Sequence, residues 1–440
     1  MLILYRPSPA SLIVALVVAA SGPLSAANWP QWRGEGGQGV SSERGLPAEW
    51  APDRNVAWKV ALPGTGHSSP IVWGERVFVT AAVEGDTVPG AKAAEHTMGG
   101  AAWVHPDSVS GDRRQTLKVL ALNARTGQLL WDRTAFDGPV YDARHRRSSF
   151  AGPTPVTDGV RVYAYFGPEG LYAYDLAGNL AWKAVEPFKT LGLGAGTSPV
   201  LAGNLVIVQR DEDEGQHSSI VAYNRESGKE VWRTKRPIQI SWSTPVLLEA
   251  SGRTELVTNG NELIIAYDPA TGKELWRTRG VESNAIHTPL VGRGLVIVSA
   301  GYPAKKVMAI RPGEVAADKR VAWEYDKGTA YVVSNILYGG YLYLVTDNGV
   351  VTCLNPDTGA VVYQGGRIPV PATFMGSPVA FEGYVALTSE DGDTFLITSG
   401  PAHAVARTNS VGEPVYSSPA IANGRIYIRG SKHLFAIGSG

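Results

Sequence analysis

A run of carboxylates at residues 211–215 is the densest group of potential metal ligands in the chain. It reads D-E-D-E-G, beginning at Asp211, and calcium prefers several carboxylate oxygens. The run departs from the D-x-[DN]-x-[DN]-G calcium loop because glycine occupies the fifth place and glutamine the sixth. We therefore interpret it as a solvated acidic loop, with calcium binding as the alternative.

Three histidines and one basic run offer a second kind of chemistry. His67, His145 and His287 each precede a predicted strand, and three converging imidazoles could bind a transition metal. Their convergence is a hypothesis, because they come from distant parts of the chain. The basic run R-H-R-R begins at Arg144 and suits a carboxylate or phosphate. An exposed connection between strands is the alternative interpretation of this run.

Covalent catalysis and nucleic-acid binding find little support in the sequence. No G-x-S-x-G frame marks a hydrolase nucleophile. Cys353 is the single cysteine, so no intramolecular disulfide can form, and no C-x-x-C-H haem site exists. Lysine and arginine together number 40, as do aspartate and glutamate. This balance disfavours a nucleic-acid partner.

The framework that carries these residues is repetitive. Residues 266–276 read A-Y-D-P-A-T-G-K-E-L-W, which is the end of a strand, a tight turn and a second strand ending in tryptophan. The frame recurs at 121–131 and 222–232, and one residue shorter at 173–182. At 353–363 it carries cysteine for the alanine and tyrosine for the tryptophan, so we interpret Cys353 as a packing residue.

A small polar residue followed by proline marks the first strand of each repeat. Apart from one long gap after Pro70, these starts lie 41–47 residues apart, the spacing of four-stranded propeller blades. The marked prolines are Pro70, Pro155, Pro199, Pro245, Pro289, Pro378 and Pro419, and residues 335–336 fill the remaining place without proline. Eight starts predict eight blades.

The two ends of the repeat region complement each other. Residues 56–59, V-A-W-K, resemble a fourth strand without its first three, and the repeat at 418–437 stops before its tryptophan strand. The N-terminal strand should therefore complete the last blade and close the ring. We predict an all-β fold, an eight-bladed β-propeller of four-stranded antiparallel blades, over residues 56–440.

Three further segments are interpreted separately. Residues 1–27 have the charge, apolar stretch and small-residue cleavage site of a signal peptide, so we expect a periplasmic or secreted protein. We also expect a monomer whose mature chain has no membrane span. Residues 28–55 predict an extended arm on the outside of the fold, anchored by Trp29, Trp32 and Trp50. Residues 84–115 form an insertion with neither helical nor strand periodicity.

The repeated frame resembles the pyrroloquinoline-quinone (PQQ) repeat of the quinoprotein-like propellers. In that family the tryptophan stacks on the backbone of a neighbouring repeat and docks adjacent blades. The resemblance implies this structural docking role for Trp58, Trp131, Trp182, Trp232, Trp276 and Trp323, with Tyr363 as a departure. It is specific for architecture, and function must be argued from the site.

Two branches of the family suggest different functions. Quinoprotein alcohol dehydrogenases hold PQQ and Ca²⁺ in the channel, usually below a vicinal cysteine pair that this chain lacks. Propellers resembling BamB are non-catalytic and bind a partner protein in the bacterial envelope. We favour a non-catalytic binding or scaffolding protein whose partner is an envelope protein or a small ligand at the channel mouth. The alternative is a PQQ-dependent dehydrogenase that oxidises an alcohol or a sugar.

A propeller of this kind has two unequal faces. The turn face carries the first-to-second and third-to-fourth turns, which are short and rich in glycine and asparagine. The link face carries the second-to-third loops and the links between blades, which vary in length and chemistry, as functional loops do. We expect any ligand or partner on the link face, and the candidate residues there are Arg144, His145, Asp211, Trp242, His287 and Lys306.

Overall fold

The computed structural model describes residues 28–98, 100–213, 215–282 and 284–439. The signal peptide expected at residues 1–27 lies outside these ranges. In the described part, eight four-stranded antiparallel sheets follow one another along the chain, and no helix is long and apolar enough to cross a membrane. The prediction of an eight-bladed, all-β propeller is confirmed.

Blades 1 to 4 occupy the first half of the ring. Each runs from an inner strand beside the channel to an outer strand at the rim. Their strands are Ile71–Trp73, Arg76–Thr87, Arg113–Asn123 and Leu129–Pro139 in blade 1; Val156–Thr157, Arg161–Tyr165, Leu171–Asp175 and Leu180–Ala184 in blade 2; Val200–Ala202, Leu205–Arg210, Ser219–Asn224 and Glu230–Lys235 in blade 3; and Val246–Ala250, Arg253–Asn259, Leu263–Tyr267 and Glu274–Arg279 in blade 4.

Blades 5 to 8 complete the ring. Their strands are Leu290–Gly292, Leu295–Ala300, Lys306–Ile310 and Val321–Tyr325 in blade 5; Ile336–Tyr338, Tyr341–Val345, Val350–Leu354 and Val361–Arg367 in blade 6; Val379–Phe381, Tyr384–Thr388, Asp393–Thr398 and Val405–Ser410 in blade 7; and Ala420–Ala422, Arg425–Arg429, His433–Ile437 and Val56–Ala61 in blade 8. The N-terminal strand closes the ring as expected, pairing Trp58 with Ala436.

The insertion in blade 1 contains more regular structure than its sequence suggested. Residues 84–87 continue the second strand, and Glu84 pairs with Gln115 of the third strand. Beyond them, His96–Met98 and Ala101–Trp103 form a hairpin, and Ser108–Val109 pairs with Arg144–His145 of the next blade link. The expectation of a segment without strand character is therefore wrong. Cross-strand pairing, which local periodicity does not reveal, decides the outcome.

The small polar residues that precede the inner strands form a ring of hydrogen bonds around the channel. At seven of the eight blades, the backbone N–H of this residue donates to the side-chain hydroxyl of its counterpart in the next blade, at 2.9–3.1 Å. The bonds join Ser69 to Thr154, Thr154 to Ser198, Ser198 to Thr244, Thr288 to Ser334, Ser334 to Ser377, Ser377 to Ser418, and Ser418 back to Ser69. These residues form the hydroxyl ring.

The hydroxyl ring explains the repeated small-polar-Pro signature. The inner edge of each blade faces the channel, so its first N–H groups have no partner strand. Proline has no N–H to satisfy, and it holds the preceding residue in an extended conformation. The hydroxyl of the next blade then accepts the remaining N–H. In the described part of the chain, the side-chain oxygen of Thr288 has no hydrogen-bond partner, so the link from blade 4 to blade 5 is missing.

Five of the repeat tryptophans contact the turn of the following blade in the same way. Each indole Nε1–H donates to a backbone carbonyl of the next third-to-fourth turn, as Trp131 does to Leu176 at 3.0 Å and Trp232 does to Pro269 at 3.2 Å. Each ring lies against the glycine of that turn. The pairs are Trp58 with Gly127, Trp131 with Gly178, Trp182 with Gly228, Trp232 with Gly272, and Trp323 with Gly359.

The glycines of these turns meet two requirements at once. Gly272, for example, has a φ of 71°, a conformation that side chains disfavour. A Cβ atom there would also lie 2.4 Å from the ring of Trp232. Trp276 departs from the pattern. Its Nε1–H donates to Glu255 at 2.7 Å, and the guanidinium of Arg320 lies 4.3 Å from its ring centre.

The arm does not stay on the outside of the fold. Trp29 pairs with Val72 of blade 1, the chain crosses the turn-face end of the channel, and Val40 pairs with Ala380 of blade 7. Trp32 lines the channel itself, and Arg33, completely buried, donates to the carbonyl of Asn335 at 2.8 Å. The placement of this arm on the outside was wrong for residues 29–41, because the open channel offers them apolar surface and unpaired inner-strand backbone.

Replacing Trp232 with alanine should lower the free energy of unfolding by about 3–5 kcal/mol, because a large buried aromatic side chain leaves a cavity. Val231, its exposed neighbour on the same strand, provides the matched control. Chemical denaturation of Trp232→Ala and Val231→Ala tests the docking role. Equal, small losses for both variants would refute it.

Ser377→Ala should cost about 1–3 kcal/mol, because it leaves the buried N–H of Ser334 without an acceptor. Ser42→Ala, at an exposed site of the arm, is the control. The same denaturation experiment measures both. An unchanged midpoint for Ser377→Ala would show that the ring contributes no stability at this blade.

Candidate functional site

A cavity of about 170 Å³ lies in the channel on the link-face side. Trp32 of the arm contributes to it, together with hydroxyl-ring residues and the ends of the blade links. Its lining residues are Trp32, His67, Ser69, Ser148, Gly152, Thr154, Ala195, Gly196, Ser198, Trp242, Thr244, Ile286, Val332, Met375, Gly376, Ser377, Tyr416, Ser417 and Ser418. We call this space the channel cavity. It combines apolar walls with convergent hydroxyls, as ligand pockets do.

Positively charged side chains surround the channel cavity. Its lining includes no aspartate or glutamate. Burial, followed by the positive charges of Arg429, Arg144 and Arg147, lowers the pKa of His67 to about 3. His67 is therefore neutral at physiological pH, and its ring lies 5.0 Å from that of Tyr416.

Two buried arginines near the channel form no ion pair in the described part of the chain. Arg429 donates to the hydroxyl of Ser68 at 2.6 Å, and Arg33 leaves Nε and Nη1 without hydrogen-bond partners. Burial lowers the pKa of each guanidinium to about 9. Because an uncompensated buried charge is costly, these two side chains favour a negative charge nearby.

The structure separates the candidate residues chosen from the sequence. Trp242 lines the channel cavity and donates to the carbonyl of Gly194 at 3.0 Å. Arg144 donates to link carbonyls, including that of Ser148 at 3.0 Å, and lies 3.6 Å from Glu84. His145 faces Asp107 at 3.3 Å. Arg144 and His145 thus fasten the link to the insertion and do not line the cavity.

The remaining three candidates have internal partners. Asp211 is buried and pairs with the equally buried Arg236 at 2.8 Å, so the expectation that it belongs to a solvated acidic loop is wrong. His287 is completely buried, and burial lowers its pKa to about 4. Lys306 pairs with Glu324 on the neighbouring strand of its own blade. Asp211 and His287 therefore lie in the interior, whereas Lys306 stays partly exposed.

A buried Asp–His–Asp cluster was missed in the sequence. His96 of the insertion hairpin places Nε2 at 2.9 Å from Asp142 and Nδ1 at 2.8 Å from Asp213. Both ring nitrogens face carboxylate oxygens, so both must carry protons and the imidazole is cationic. Asp142 also accepts from the backbone and hydroxyl of Thr190. No local signal predicts this cluster, because its members are separated by 46 and 117 residues.

An exposed tyrosine pair was also missed. Tyr302 and Tyr331 lie on neighbouring link-face segments of blades 5 and 6, with ring centres 5.1 Å apart. They are 56% and 36% exposed, and the amide of Asn284 donates to the Tyr331 hydroxyl at 3.1 Å. We call them the tyrosine pair. Exposed aromatic side chains of this kind are typical of protein-binding surfaces.

The residues of the channel do not fit the metal of a quinoprotein centre. Calcium requires several oxygen ligands, with carboxylates prominent among them, and none lines the channel cavity. Within the described ranges, no group of three or more histidine, cysteine, aspartate or glutamate side chains is placed to hold a metal ion. His67, His145 and His287 accordingly form no metal centre.

The repeats, the ring closure and the channel define the class as an eight-bladed propeller of PQQ-like repeats. A family model described as outer membrane protein assembly factor BamB matches residues 39–214 and 216–367. This match covers well over half of the sequence, and the chain therefore belongs to the BamB-like propeller family. BamB of Yersinia pestis is 20% identical over 345 residues, which span 74% of this chain and 81% of that protein.

Solved structures share the fold at low sequence identity. BamB from Moraxella catarrhalis aligns with a TM-score of 0.54 and 15% identity, covering 81% of this chain and 97% of that one. Quinohemoprotein alcohol dehydrogenase from Comamonas testosteroni aligns with a TM-score of 0.62 and 14% identity, covering 94% and 81%. Proteins with different activities thus share this architecture, and the likeness shows the fold alone.

The Asp–His–Asp cluster should make attachment of the insertion hairpin depend on pH. Burial lowers the pKa of His96, but its hydrogen bonds to Asp142 and Asp213 more than offset this, and the pKa is raised. Stability from His96 is therefore present below its ordinary pKa and lost as pH rises through the raised value. For Asp142, burial raises the pKa but bonding to His96 and Thr190 lowers it overall, so its contribution is lost only in acid.

Limited proteolysis across the pH range measures this attachment. Cleavage between residues 88 and 112 should be slowest in mildly acidic solution and accelerate at alkaline pH. His96→Gln cannot protonate, so cleavage in that variant should be fast at every pH, once the intrinsic pH dependence of the protease is measured on a peptide. A wild-type profile as flat as that of His96→Gln would contradict the assignment.

Proposed function

We propose that this protein is a non-catalytic binding propeller of the cell envelope, periplasmic or secreted, which holds a partner protein on its link face. The observation that carries the proposal is the inequality of the two faces. On the turn face, the arm crosses the channel and the tight turns receive the tryptophans of neighbouring blades. On the link face, the tyrosine pair and the channel cavity remain accessible.

The tight turns that receive the tryptophans have little freedom to change. Their glycines, such as Gly178 and Gly228, are held by positive φ values and by contact with Trp131 and Trp182. Substitutions there disturb packing between blades before they alter any surface. The link-face loops differ in length and sequence from blade to blade, and a rigid scaffold with variable loops is the usual arrangement for recognition.

The tyrosine pair is the strongest candidate for contact with a partner. Tyrosine contributes a large apolar area and a hydrogen-bonding hydroxyl at modest entropic cost, and it is enriched among the residues that dominate binding energy. Tyr302 and Tyr331 are adjacent on neighbouring blades and leave much of their surface free. The backbone N–H of Tyr331 donates to Asp347, and the next residue, Asn348, lines a groove together with Ile368 and Val370.

Family membership supports an envelope partner and suggests its kind. The matching family model and the relative from Yersinia pestis both bear the name outer membrane protein assembly factor BamB. A role in outer-membrane protein assembly would require a partner protein and no catalytic group. The lining of the channel cavity includes no carboxylate, which is consistent with this role and gives the dehydrogenase alternative no calcium ligands in that cavity.

Capture of partners from an envelope extract tests the proposal. Purified protein and a Tyr302→Ser/Tyr331→Ser variant are immobilised, and bound proteins are identified by mass spectrometry. We expect an outer-membrane assembly protein to bind the wild type and to bind the variant at least tenfold more weakly, because the aromatic contact area is lost.

A matched variant controls for loss of exposed apolar surface in general. Val160→Ser/Leu180→Ser removes two residues that are 62% and 51% exposed near turns of blade 2, and it should retain the partner. Equal loss with both variants would place the binding surface elsewhere.

Tight PQQ binding with dye reduction in the presence of Ca²⁺ and an alcohol would overturn the non-catalytic assignment.

A further inference from the structure

The channel cavity lies at the centre of the link face and is too small to admit a folded segment. We propose that it receives a carboxylate side chain from an acidic segment of the partner protein. This inference rests on the proposed function and adds the chemistry by which the partner is recognised. The charges around the cavity, the hydrogen-bonding capacity of its lining and its size all favour such a group.

The charges around the cavity favour an anion. The positive charges of Arg144, Arg147 and Arg429 all lower the pKa of His67, which lines the cavity. Arg147 pairs with Glu390 through two hydrogen bonds of 2.7 and 2.8 Å, and Arg144 lies near Glu84. Arg429 has no carboxylate partner in the described ranges, so its charge is not neutralised within the protein.

Arg429 lies directly behind the wall of the cavity. Its Nη1 donates to both the carbonyl and the hydroxyl of Ser68, and a Cβ atom on Gly66 would meet its Nη2 at 2.0 Å. Residues 66–68 therefore separate the guanidinium from the cavity by only the thickness of the backbone. A carboxylate in the cavity would offset the cost of burying this charge.

The hydroxyl ring supplies hydrogen-bond donors. The hydroxyls of Ser69, Thr154, Ser377 and Ser418 each accept an N–H from the preceding blade. A hydroxyl that accepts one bond still has a proton to donate, and no acceptor for these protons is seen in the described structure. Carboxylate oxygens accept several such bonds, whereas a cation would find no charged ligand here.

The size of the cavity limits its occupant to a small group. A volume of about 170 Å³ suits one side chain, and its opening at the centre of the link face suits a segment lying across the blade links. Trp242 and Met375 provide apolar contact for the aliphatic part of a glutamate. An acidic segment of a partner therefore fits better than a large planar ligand.

Fluorescence anisotropy with two dye-labelled decapeptides tests the inference on the full chain. One peptide alternates glutamate with serine, and the other has glutamine in place of every glutamate. We expect at least tenfold tighter binding of the glutamate peptide, weakening as salt rises. The pKa of His67, followed by NMR, should rise on binding because a negative charge has entered the cavity.

Two variants locate the binding. Arg429→Met removes the buried charge while keeping most of the side-chain volume, and Ser148→Glu places a negative charge at the cavity wall without altering a buried arginine. Each should weaken binding of the glutamate peptide at least tenfold. Lys273→Glu, an exposed turn-face position, should leave the affinity within twofold and controls for the change in net charge.

The outcomes separate this inference from the proposed function. Equal affinity for the two peptides, or equal loss with Ser148→Glu and Lys273→Glu, would overturn it. Complete displacement of the peptide by free succinate at equal concentration would assign the cavity to a small carboxylate and also overturn it. Capture of an envelope partner that depends on the tyrosine pair but not on Ser148→Glu would sustain the proposed function and reject the acidic segment.

Discussion

The ring of hydrogen bonds around the channel is the interaction on which the architecture depends. Every blade begins with an inner edge whose first N–H has no partner strand, and an unsatisfied buried N–H costs about 1–3 kcal/mol. The hydroxyl of the next blade removes this cost at seven of the eight blades, as Ser377 does for Ser334. The bond from Ser418 to Ser69 joins the last blade to the first, and in the described part of the chain the link from blade 4 to blade 5 is missing.

Packing at the rim is the counterpart of this inner ring. A tryptophan such as Trp182 spans two blades, because its ring lies on Gly228 and its Nε1–H bonds to Arg225 of the next blade. Trp276 has no such contact with a turn glycine, and the guanidinium of Arg320 covers its ring instead. The turn face is therefore committed to holding blades together, and the arm adds to it by crossing the channel. Recognition is left to the link face, where the backbone imposes few side-chain identities.

The site illustrates how burial redirects polar residues. Asp211 and His287 look available in the sequence, yet one neutralises Arg236 in the interior and the other bonds to Ser299. Arg429 attracts no notice in the sequence, since it ends an ordinary strand. It becomes important only because it is enclosed without a carboxylate. The distribution of unpaired charge, which depends on every neighbouring segment, distinguishes a binding site from a structural ion pair.

The sequence by itself determined the blade number, the four-strand repeat, the closure by a strand that includes residues 56–59 and the positions of the repeat tryptophans. These follow from local turn chemistry repeated at a fixed period, and local signals survive without knowledge of distant contacts. Only the tertiary structure decided the strands of the insertion, the entry of Arg33 into the channel and the meeting of His96 with Asp142 and Asp213. Each of these joins residues far apart in the chain, and the energy of such contacts depends on burial that no local pattern encodes.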